Sequence, residues 1–544
     1  MNAVLSPIAR FWKLLFAYKP EIYQIYLYAI LSGLVNLSLP LGIQSIINLI
    51  QGNQISTSWF ILVGFVLLGI ALTGIFQVFQ LRIVEKIQQD IFARSAFEFT
   101  FRVPRIKLLK LDNVHAPELV NRFFDTLTIQ KSLPKILIDF SLASFQVIFG
   151  LLLLAIYSYY FIFLGLFLCL LLLILFKITG QQGLNTSLKE SKHKYQLAHW
   201  LEETARTHKS FKLGADTTLH LQKTDDIAVQ YLESRGKHFK VLLTQFKYFV
   251  VCKIIVAAAL LILGSVLVFQ EQMNLGQFVA SEIMVILIIN SIEKLIRSMD
   301  TIYDVLTALE KIGYVTDLDL EETEGIVLEE EDNGISIEVS NLEFIYPDAK
   351  ENVLNGLSFT IDASAKVIIE GKSGSGKSTL LHLLTGLYDA TGGVILLNEI
   401  PLYKLQKQAL YPNIGLYLPT NQLFEGTIWE NITLGRNISD KQMAKMLAIL
   451  GLKKYIAHQI GGIQTRIDPE GRRLPRGIAQ KILIARTLIH QPRLLVMEDP
   501  LQFLEEEEKH KIVDYIMDEQ QKWTVIVITD YPYWKTKSNQ IVRL

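Results

Sequence analysis

Apolar residues crowd into the first 300 positions of the chain. Long apolar runs occupy about 23–49, 58–81, 136–157, 159–178, 248–270 and 275–296. A helix needs about 20 residues to cross the hydrocarbon core of a bilayer, and each run approaches or exceeds that length. One such run could be a buried core helix; six of them before residue 300 predict six membrane spans. The joints between them alternate in charge. Residues 50–57, the tight joint at Tyr157–Tyr160 and residues 271–274 carry no Lys or Arg, whereas the N-terminal tail has Arg10, Lys13 and Lys19, and the stretches 82–135 and 179–247 are rich in both. That asymmetry places the N-terminus and both long stretches on the cytoplasmic side. The long stretches keep a helical period, so the spans are expected to continue past the bilayer. Residues 8–18 (IARFWKLLFAY) mix cations with aromatics and leucines. Two readings stand for them: an amphipathic helix lying on the inner membrane face, or a helical cap on the first span.

The pattern changes after residue 316. Residues 317–334 (DLDLEETEGIVLEEEDNG) are acidic with few aromatics, which predicts a solvated linker. Beyond them, short β-rich runs (ISIEVSNLEF, KVIIEG, GVILLN, RLLVME, TVIVIT) alternate with helical stretches, the pattern of an α/β domain. The expected organisation is an N-terminal interfacial helix (1–22), a six-helix all-α membrane domain (23–316), an acidic linker (317–335) and an α/β domain (336–544).

Composition narrows the function. With 544 residues the chain has room for more than one domain. Lys plus Arg and Asp plus Glu number 53 each, so the charge balance is zero and no nucleic-acid partner is expected, since such proteins neutralise phosphates with surplus cations. Cys169 and Cys252 both fall in apolar runs and read as buried small hydrophobes, not a disulfide or metal pair. No cleavable secretion signal is expected at the start of the chain.

The strongest chemical signal is Gly371-Lys372-Ser373-Gly374-Ser375-Gly376-Lys377-Ser378, followed by Thr379. It follows the strand-like KVIIE and opens the helix-like TLLHLLTGLY. Glycines let backbone N–H groups curl around phosphate oxygens, and a helix N-terminus adds its dipole. Lys377 is placed to reach β- and γ-phosphates, and the Ser378 hydroxyl to ligate Mg²⁺. This is an α/β P-loop nucleotide-binding domain, with ATP and Mg²⁺ as the expected ligands.

With those residues in view, the C-terminal domain resembles the nucleotide-binding domain of an ABC transporter. The whole chain, six spans followed by this domain, resembles an exporter half-transporter. Phe344–Pro347 (FIYP) resembles the family's adenine-stacking segment, with Tyr346 as the ring. Leu423–Thr433 resembles the stretch after the family's glutamine loop. His115–Asp125 and Ala205–Ala215 resemble cytoplasmic coupling segments. Ile91–Arg105 is similar to the type I secretion and bacteriocin-exporter branch. That resemblance implies a peptide or protein substrate, a periplasmic adaptor, a bacterial inner membrane location with the ATP domain cytoplasmic, and a homodimer or a heterodimer with a second half-transporter. Lipid or a hydrophobic small molecule stays open as substrate.

The sequence departs from the family at four places. The family's Walker B strand ends Asp-Glu, the Asp helping to hold Mg²⁺ and the Glu polarising the attacking water. Here Glu498 and Asp499 stand in those positions, one methylene longer and one shorter. The signature Leu-Ser-Gly-Gly-Gln, which touches ATP on the opposing subunit, is replaced by Leu474-Pro475-Arg476-Gly477-Ile478, ahead of a well-matched Ala479–Arg486. The switch histidine is replaced by Asp530, where a carboxylate would repel a γ-phosphate. The loop glutamine is missing; Pro419 and Thr420 occupy its region and Gln422 is displaced. A misplacement of about 1 Å costs on the order of a hundredfold in rate, so hydrolysis is expected to be slow.

Some residues keep two readings. Arg476 reaches a γ-phosphate or points to solvent. Glu505–Glu508 contact the opposing subunit or start a solvated helix. Asp139 and Glu282 line a translocation path, or Glu282 is simply hydrated at a span end. Lys253 snorkels. Two functions follow: an ATP-driven exporter, or a nucleotide-binding pseudoenzyme that serves as the regulatory half of a heterodimer or as an ATP-gated membrane component. A soluble P-loop enzyme is excluded by the spans.

Overall fold

The computed structural model describes residues 5–51, 57–112, 116–214, 216–329 and 331–544. The chain divides into two compact units. Unit 1 comprises residues 1–104 and 114–318, and unit 2 comprises 105–113 and 319–544.

Unit 1 is helical. α1 (Pro7–Ala17) is followed by α2 (Lys19–Asn36), α3 (Ser38–Gln51), α4 (Thr57–Arg102), α5 (Ala116–Asn121), α6 (Asp125–Pro134), α7 (Ser141–Tyr157), α8 (Tyr160–Arg206), α9 (His208–Leu213), α10 (Leu219–Phe269) and α11 (Leu275–Thr316). Among the described residues six helical stretches are long and apolar enough to cross a membrane. The first is broken at Leu37: Pro40 lies in the opening turn of α3, where its missing N–H is tolerated, and α2 stops short of it. Pro134 ends α6 in the same way, and a π-helical turn, Lys135–Phe140, carries the chain into α7. At 1.5 Å per residue α8, α10 and α11, of 47, 51 and 42 residues, outrun a bilayer about twofold.

Their exposed faces are apolar, as lipid-facing surfaces are. Leu166, Leu173, Ile254 and Ile262 are all open to the surroundings. Where apolar sorting no longer discriminates, buried polar side chains join the helices. Gln245 Nε2 donates to Thr179 Oγ1 at 2.8 Å and to Tyr303 Oη at 2.9 Å, and Thr186 Oγ1 lies 2.9 Å from His238 Nδ1. Cys252 is buried as expected, but Cys169 is exposed, because on a lipid-facing helix an apolar run need not be interior. Asp139 is exposed on the π-helical turn, while one carboxylate oxygen of Glu282 is enclosed without a hydrogen-bond partner. His115 and Ala215 of the expected coupling segments lie outside the described residues.

Unit 2 is built on two main sheets and a two-stranded one. Its strands are β1 (Ile337–Phe344), β2 (Leu354–Ile361), β3 (Lys366–Glu370), β4 (Gly392–Leu397), β5 (Ile400–Pro401), β6 (Ile414–Tyr417), β7 (Gly426–Thr427), β8 (Arg466–Ile467), β9 (Leu494–Glu498), β10 (Thr524–Ile528) and β11 (Gln540–Arg543). An antiparallel sheet has the order β2-β1-β4-β5, a parallel sheet has the order β11-β3-β10-β9-β6, and β7 pairs with β8 alone. The middle positions of β3, β9 and β10 are apolar and buried, as in strands covered on both faces, with polar residues at their ends.

The acidic stretch expected to be a solvated linker is strapped to unit 2. Leu328 is buried in its core, Ile326 bridges to Leu405, and Arg493 donates to the carbonyls of Glu329 and Asn333. Leu328 is the side chain that enters the core, while Ile326 and Val327 beside it stay exposed, so the stretch is held by backbone contacts and one apolar anchor. Residues 105–113, between α4 and α5 in the chain, also fold with unit 2. Ile106 bridges to Leu320, Lys107 Nζ pairs with Asp389 at 3.1 Å, and Leu108 and Leu109 pack on the core. The Tyr388 hydroxyl donates to Asp112, and the Tyr388 ring stacks on Phe344 at 5.5 Å. A hydrogen bond to a half-solvated carboxylate contributes about 1 kcal/mol. Tyr388→Phe is therefore expected to speed amide exchange across residues 105–112 about fivefold, read by hydrogen-exchange mass spectrometry of the full chain. Unchanged exchange there would mean that the leucines, the Ile106 bridge and the Lys107–Asp389 pair hold the segment without the Tyr388 hydroxyl.

Candidate functional site

Three neighbouring strands of the parallel sheet end on one edge. β3 runs into Gly371, β9 ends at Glu498, and β10 ends at Ile528, which pairs with both Ile369 and Glu498. Ligands of α/β sheets collect beyond such carboxyl ends, where the next helix presents its N-terminus. Here that helix is α12 (Lys377–Leu384). Gly374 and Gly376 have φ of +80° and +87°, the left-handed region that side chains resist.

The two glycines differ in surroundings. A Cβ at Gly376 would lie 2.9 Å from both Leu354 Cδ2 and Val353 Cγ1, whereas nothing lies within 4 Å of one at Gly374. Gly374→Ala is expected to cost about 1–2 kcal/mol for its backbone alone. Gly376→Ala adds overpacking of about 1–3 kcal/mol. Thermal melting of the two full-length variants checks this, and equal midpoints would show that crowding at Gly376 is relieved by movement.

The loop and the strand ends enclose a cavity of about 440 Å³. Gly371, Ser373, Gly374, Gly376, Lys377, Ser378 and Thr379 line it from the loop; Lys372 and Ser375 do not. Lys377 Nζ donates to the carbonyls of Gly371 and Lys372, both at 2.8 Å, so the ammonium lies folded across the loop. On the opposite wall stand Glu498, Asp499 and Asp530. Ser378 Oγ donates to Glu498 Oε1 at 2.7 Å. A hydroxyl and a carboxylate oxygen this close form the hard-oxygen set that suits Mg²⁺, which takes few protein ligands and completes its shell with water and phosphate. Among the described residues no group of three His, Cys, Asp or Glu side chains could hold a metal alone. The residues present therefore fit Mg²⁺ held jointly with a polyphosphate.

Asp499 sits at a backbone reversal, with φ of +42° and its N–H donating to Ile528 O at 2.9 Å. A non-glycine residue in this region costs on the order of 1–2 kcal/mol. Burial raises the Asp499 carboxyl above the usual carboxylate range, and the charges of Asp530 and Glu498 push it the same way, while hydrogen bonds from Thr529 and Gln502 pull it down. A second cavity of about 260 Å³ is lined by Asp499, Asp530, Gln502 and Lys509 among others, so Asp499 and Asp530 border both cavities.

The remaining expected residues are placed as follows. Tyr346 does not line the 440 Å³ cavity; its hydroxyl is 2.9 Å from Thr379 Oγ1, and its ring meets Phe344 edge-on. None of Leu474, Pro475, Arg476, Gly477 or Ile478 lines the cavity either. They lead into the helix Arg476–Leu488, where Pro475 holds the N-cap position without a side-chain cap. Arg476 is exposed, its guanidinium 5.3 Å from the Phe503 ring centroid. Pro419, Thr420 and Gln422 are exposed and outside the cavity. The sequence reading missed Val353, Ile528 and Thr529, all in the cavity wall. Thr529 could have been found as the first residue past the end of β10; Val353 lies before β2, remote in sequence from the loop it faces.

The sequence matches two families: ABC transporter over residues 354–502, and ABC transporter transmembrane region over residues 23–292. Among curated relatives, the glutathione/L-cysteine transport system ATP-binding/permease protein CydC of Escherichia coli is 29% identical over 209 residues, 38% of this chain and 36% of that protein. The ATP-dependent lipid A-core flippase of Legionella pneumophila is 29% identical over 238 residues, 44% of this chain and 40% of that protein. The chain thus spans well under half the length of each. Among solved structures, that of a bacterial Atm1-family ABC exporter with ATP bound superposes with a TM-score of 0.85 at 19% identity, covering 97% of this chain and 93% of the other. At that identity the likeness concerns the fold.

Proposed function

This chain belongs to the ABC transporter family, and from that membership we propose that it is an exporter subunit driven by MgATP bound at Gly371–Thr379. The observation that carries the proposal is the Ser378–Glu498 hydrogen bond at the mouth of the glycine-rich loop, which joins a phosphate cradle to a Walker B carboxylate. In this reading the loop amides and Lys377 hold the β- and γ-phosphates. Tyr346, one hydrogen bond from Thr379, flanks the nucleoside end. Ser378 and Glu498 hold Mg²⁺, which when bound supplies neutralising charge to the phosphates. Asp499 orients the attacking water with a side chain one methylene short, and Asp530 offers no proton donor, so hydrolysis is slow. Leu474–Ile478 face the nucleotide of a second half-transporter, identical or related.

The pseudoenzyme reading has one observation in its favour. The cavity brings three carboxylates, Glu498, Asp499 and Asp530, against one lysine. In a heterodimer this chain would then bind nucleotide without turning it over. The altered signature speaks against a simple division of labour, since it weakens the partner's site too.

The cargo class is the coarsest part of the proposal. Relatives are named for glutathione and cysteine transport and for lipid A flipping, which supports a small or lipidic substrate at least as well as the peptide or protein, with its periplasmic adaptor, suggested by Ile91–Arg105. We place the six spans in a bacterial inner membrane with unit 2 cytoplasmic, supported by the basic stretches at 82–135 and 179–247.

Steady-state MgATP hydrolysis by the purified chain in lipid nanodiscs, beside Lys377→Ala, tests the choice. Turnover above that of the variant supports a homodimeric exporter. Equal turnover with nucleotide still bound by the native chain supports the pseudoenzyme.

A further inference from the structure

Beneath α1 lies a cavity of about 280 Å³ between α1, α4 and α11. Its charged lining is unbalanced. Arg10, Lys13, Arg94 and Arg102 face it, against Glu98 and Asp317. The two carboxylates are already engaged: Asp317 takes both arms of Arg10, with Nη1 donating to Oδ1 at 3.0 Å, and Glu98 takes Arg102 Nε at 3.1 Å. Neither Lys13 nor Arg94 forms an ion pair among the described residues. Arg94 engages the Tyr18 hydroxyl, but no carboxylate neutralises it or Lys13, so both charges face a hollow whose other walls, Leu14, Ile91, Leu309 and Ile312, are apolar.

The outer face of α1 says what kind of anion fits. Ile8, Trp12 and Phe16 are 48, 54 and 68% exposed and recur at four-residue spacing, so they form one stripe left largely open by the described residues. On the opposite face Arg10 anchors the helix to α11 through Asp317 and Glu310. Lys13 follows Trp12 directly, which puts the cationic hollow beside the apolar stripe. Such a helix lies in a membrane interface. We propose that this cavity binds the phosphate-bearing headgroup of an anionic membrane phospholipid, with Lys13 and Arg94 on the phosphate and the acyl chains along the Trp12–Phe16 stripe. A free phosphate satisfies the cations equally but leaves the stripe unused. The site is independent of the nucleotide cavity and needs no turnover to be read.

Native mass spectrometry of the full chain in detergent, titrated with phosphatidylglycerol or phosphatidylcholine, tests the assignment. The native chain is expected to bind at least one phosphatidylglycerol in preference to phosphatidylcholine. Lys13→Gln with Arg94→Gln is expected to lose that preference about thirtyfold, a factor of roughly five for each basic residue near an anionic surface. Melting of the double variant in phosphatidylcholine nanodiscs checks that it folds, and the single Lys13→Gln, at an exposed position, stands in if it does not, with about a fivefold loss. Equal binding of the two lipids by the native chain, or undiminished phosphatidylglycerol binding by the variants, overturns the proposal. Displacement of phosphatidylglycerol by millimolar inorganic phosphate overturns the lipid assignment and leaves an anion site only.

Discussion

Asp530→His is expected to raise steady-state MgATP turnover of the full chain on the order of a hundredfold. Asp530 shares the cavity with Glu498 and Asp499, and Lys377 is the lone cation among the lining residues. A triphosphate entering there adds negative charge against three carboxylates. Two like charges about 4 Å apart repel by roughly 4 kcal/mol at an effective dielectric near 20, and solvent at the mouth reduces that. The histidine also brings a donor aimed at the charge that develops in the transition state, and a single preorganised donor is worth on the order of a hundred- to a thousandfold in rate. Asp530→Asn separates the two effects, since it removes the charge and supplies only a weak donor; it is expected to fall between the native chain and Asp530→His. If neither variant is faster than the native chain, Asp530 does not face the phosphates, and the proposed brake on turnover lies elsewhere.

Lys377→Ala is expected to weaken MgATP binding about a hundredfold and to abolish turnover. Charge-assisted hydrogen bonds to phosphate are worth about 1.5–3 kcal/mol each, and no other lining residue can replace the ammonium. Removing it also frees the carbonyls of Gly371 and Lys372, which it now holds, so some of the loss is loop disorder. Lys377→Met keeps the aliphatic stem without the charge and should match the alanine variant in affinity. Fluorescence titration with a labelled ATP reads both. Native-like affinity in either variant would remove the nucleotide reading altogether.

The parts legible in the sequence were those encoded by short-range pattern. Six apolar runs, the Gly371–Thr379 loop after a strand, and acids at the ends of β9 and β10 all depend on neighbours within about ten positions. What could not be read depends on partners far along the chain. Nothing near Leu108 announces that it packs in a core completed after residue 319. Nothing near Phe503 announces that Arg476 rests on it. Tyr346 was expected from its resemblance to an adenine-stacking ring; its hydroxyl contact with Thr379, which joins the segment after β1 to α12, could not be read from the sequence. Cys169 was misread for a different reason: in a lipid-facing helix hydrophobicity no longer reports burial by protein.

The split composition of unit 2 bears on how the chain is made. Residues 105–113 leave the ribosome more than 200 residues before 319–544. At 5–20 residues per second that gap lasts roughly 10–40 s. During that time Leu108 and Leu109 have no core to enter, while the spans on either side of them are already emerging. Completion of unit 2 therefore closes a loop through the membrane region that only the finished chain can close. A fragment beginning at residue 319 would lack part of its own interior, and supplying residues 105–113 as a separate peptide is the way to restore it.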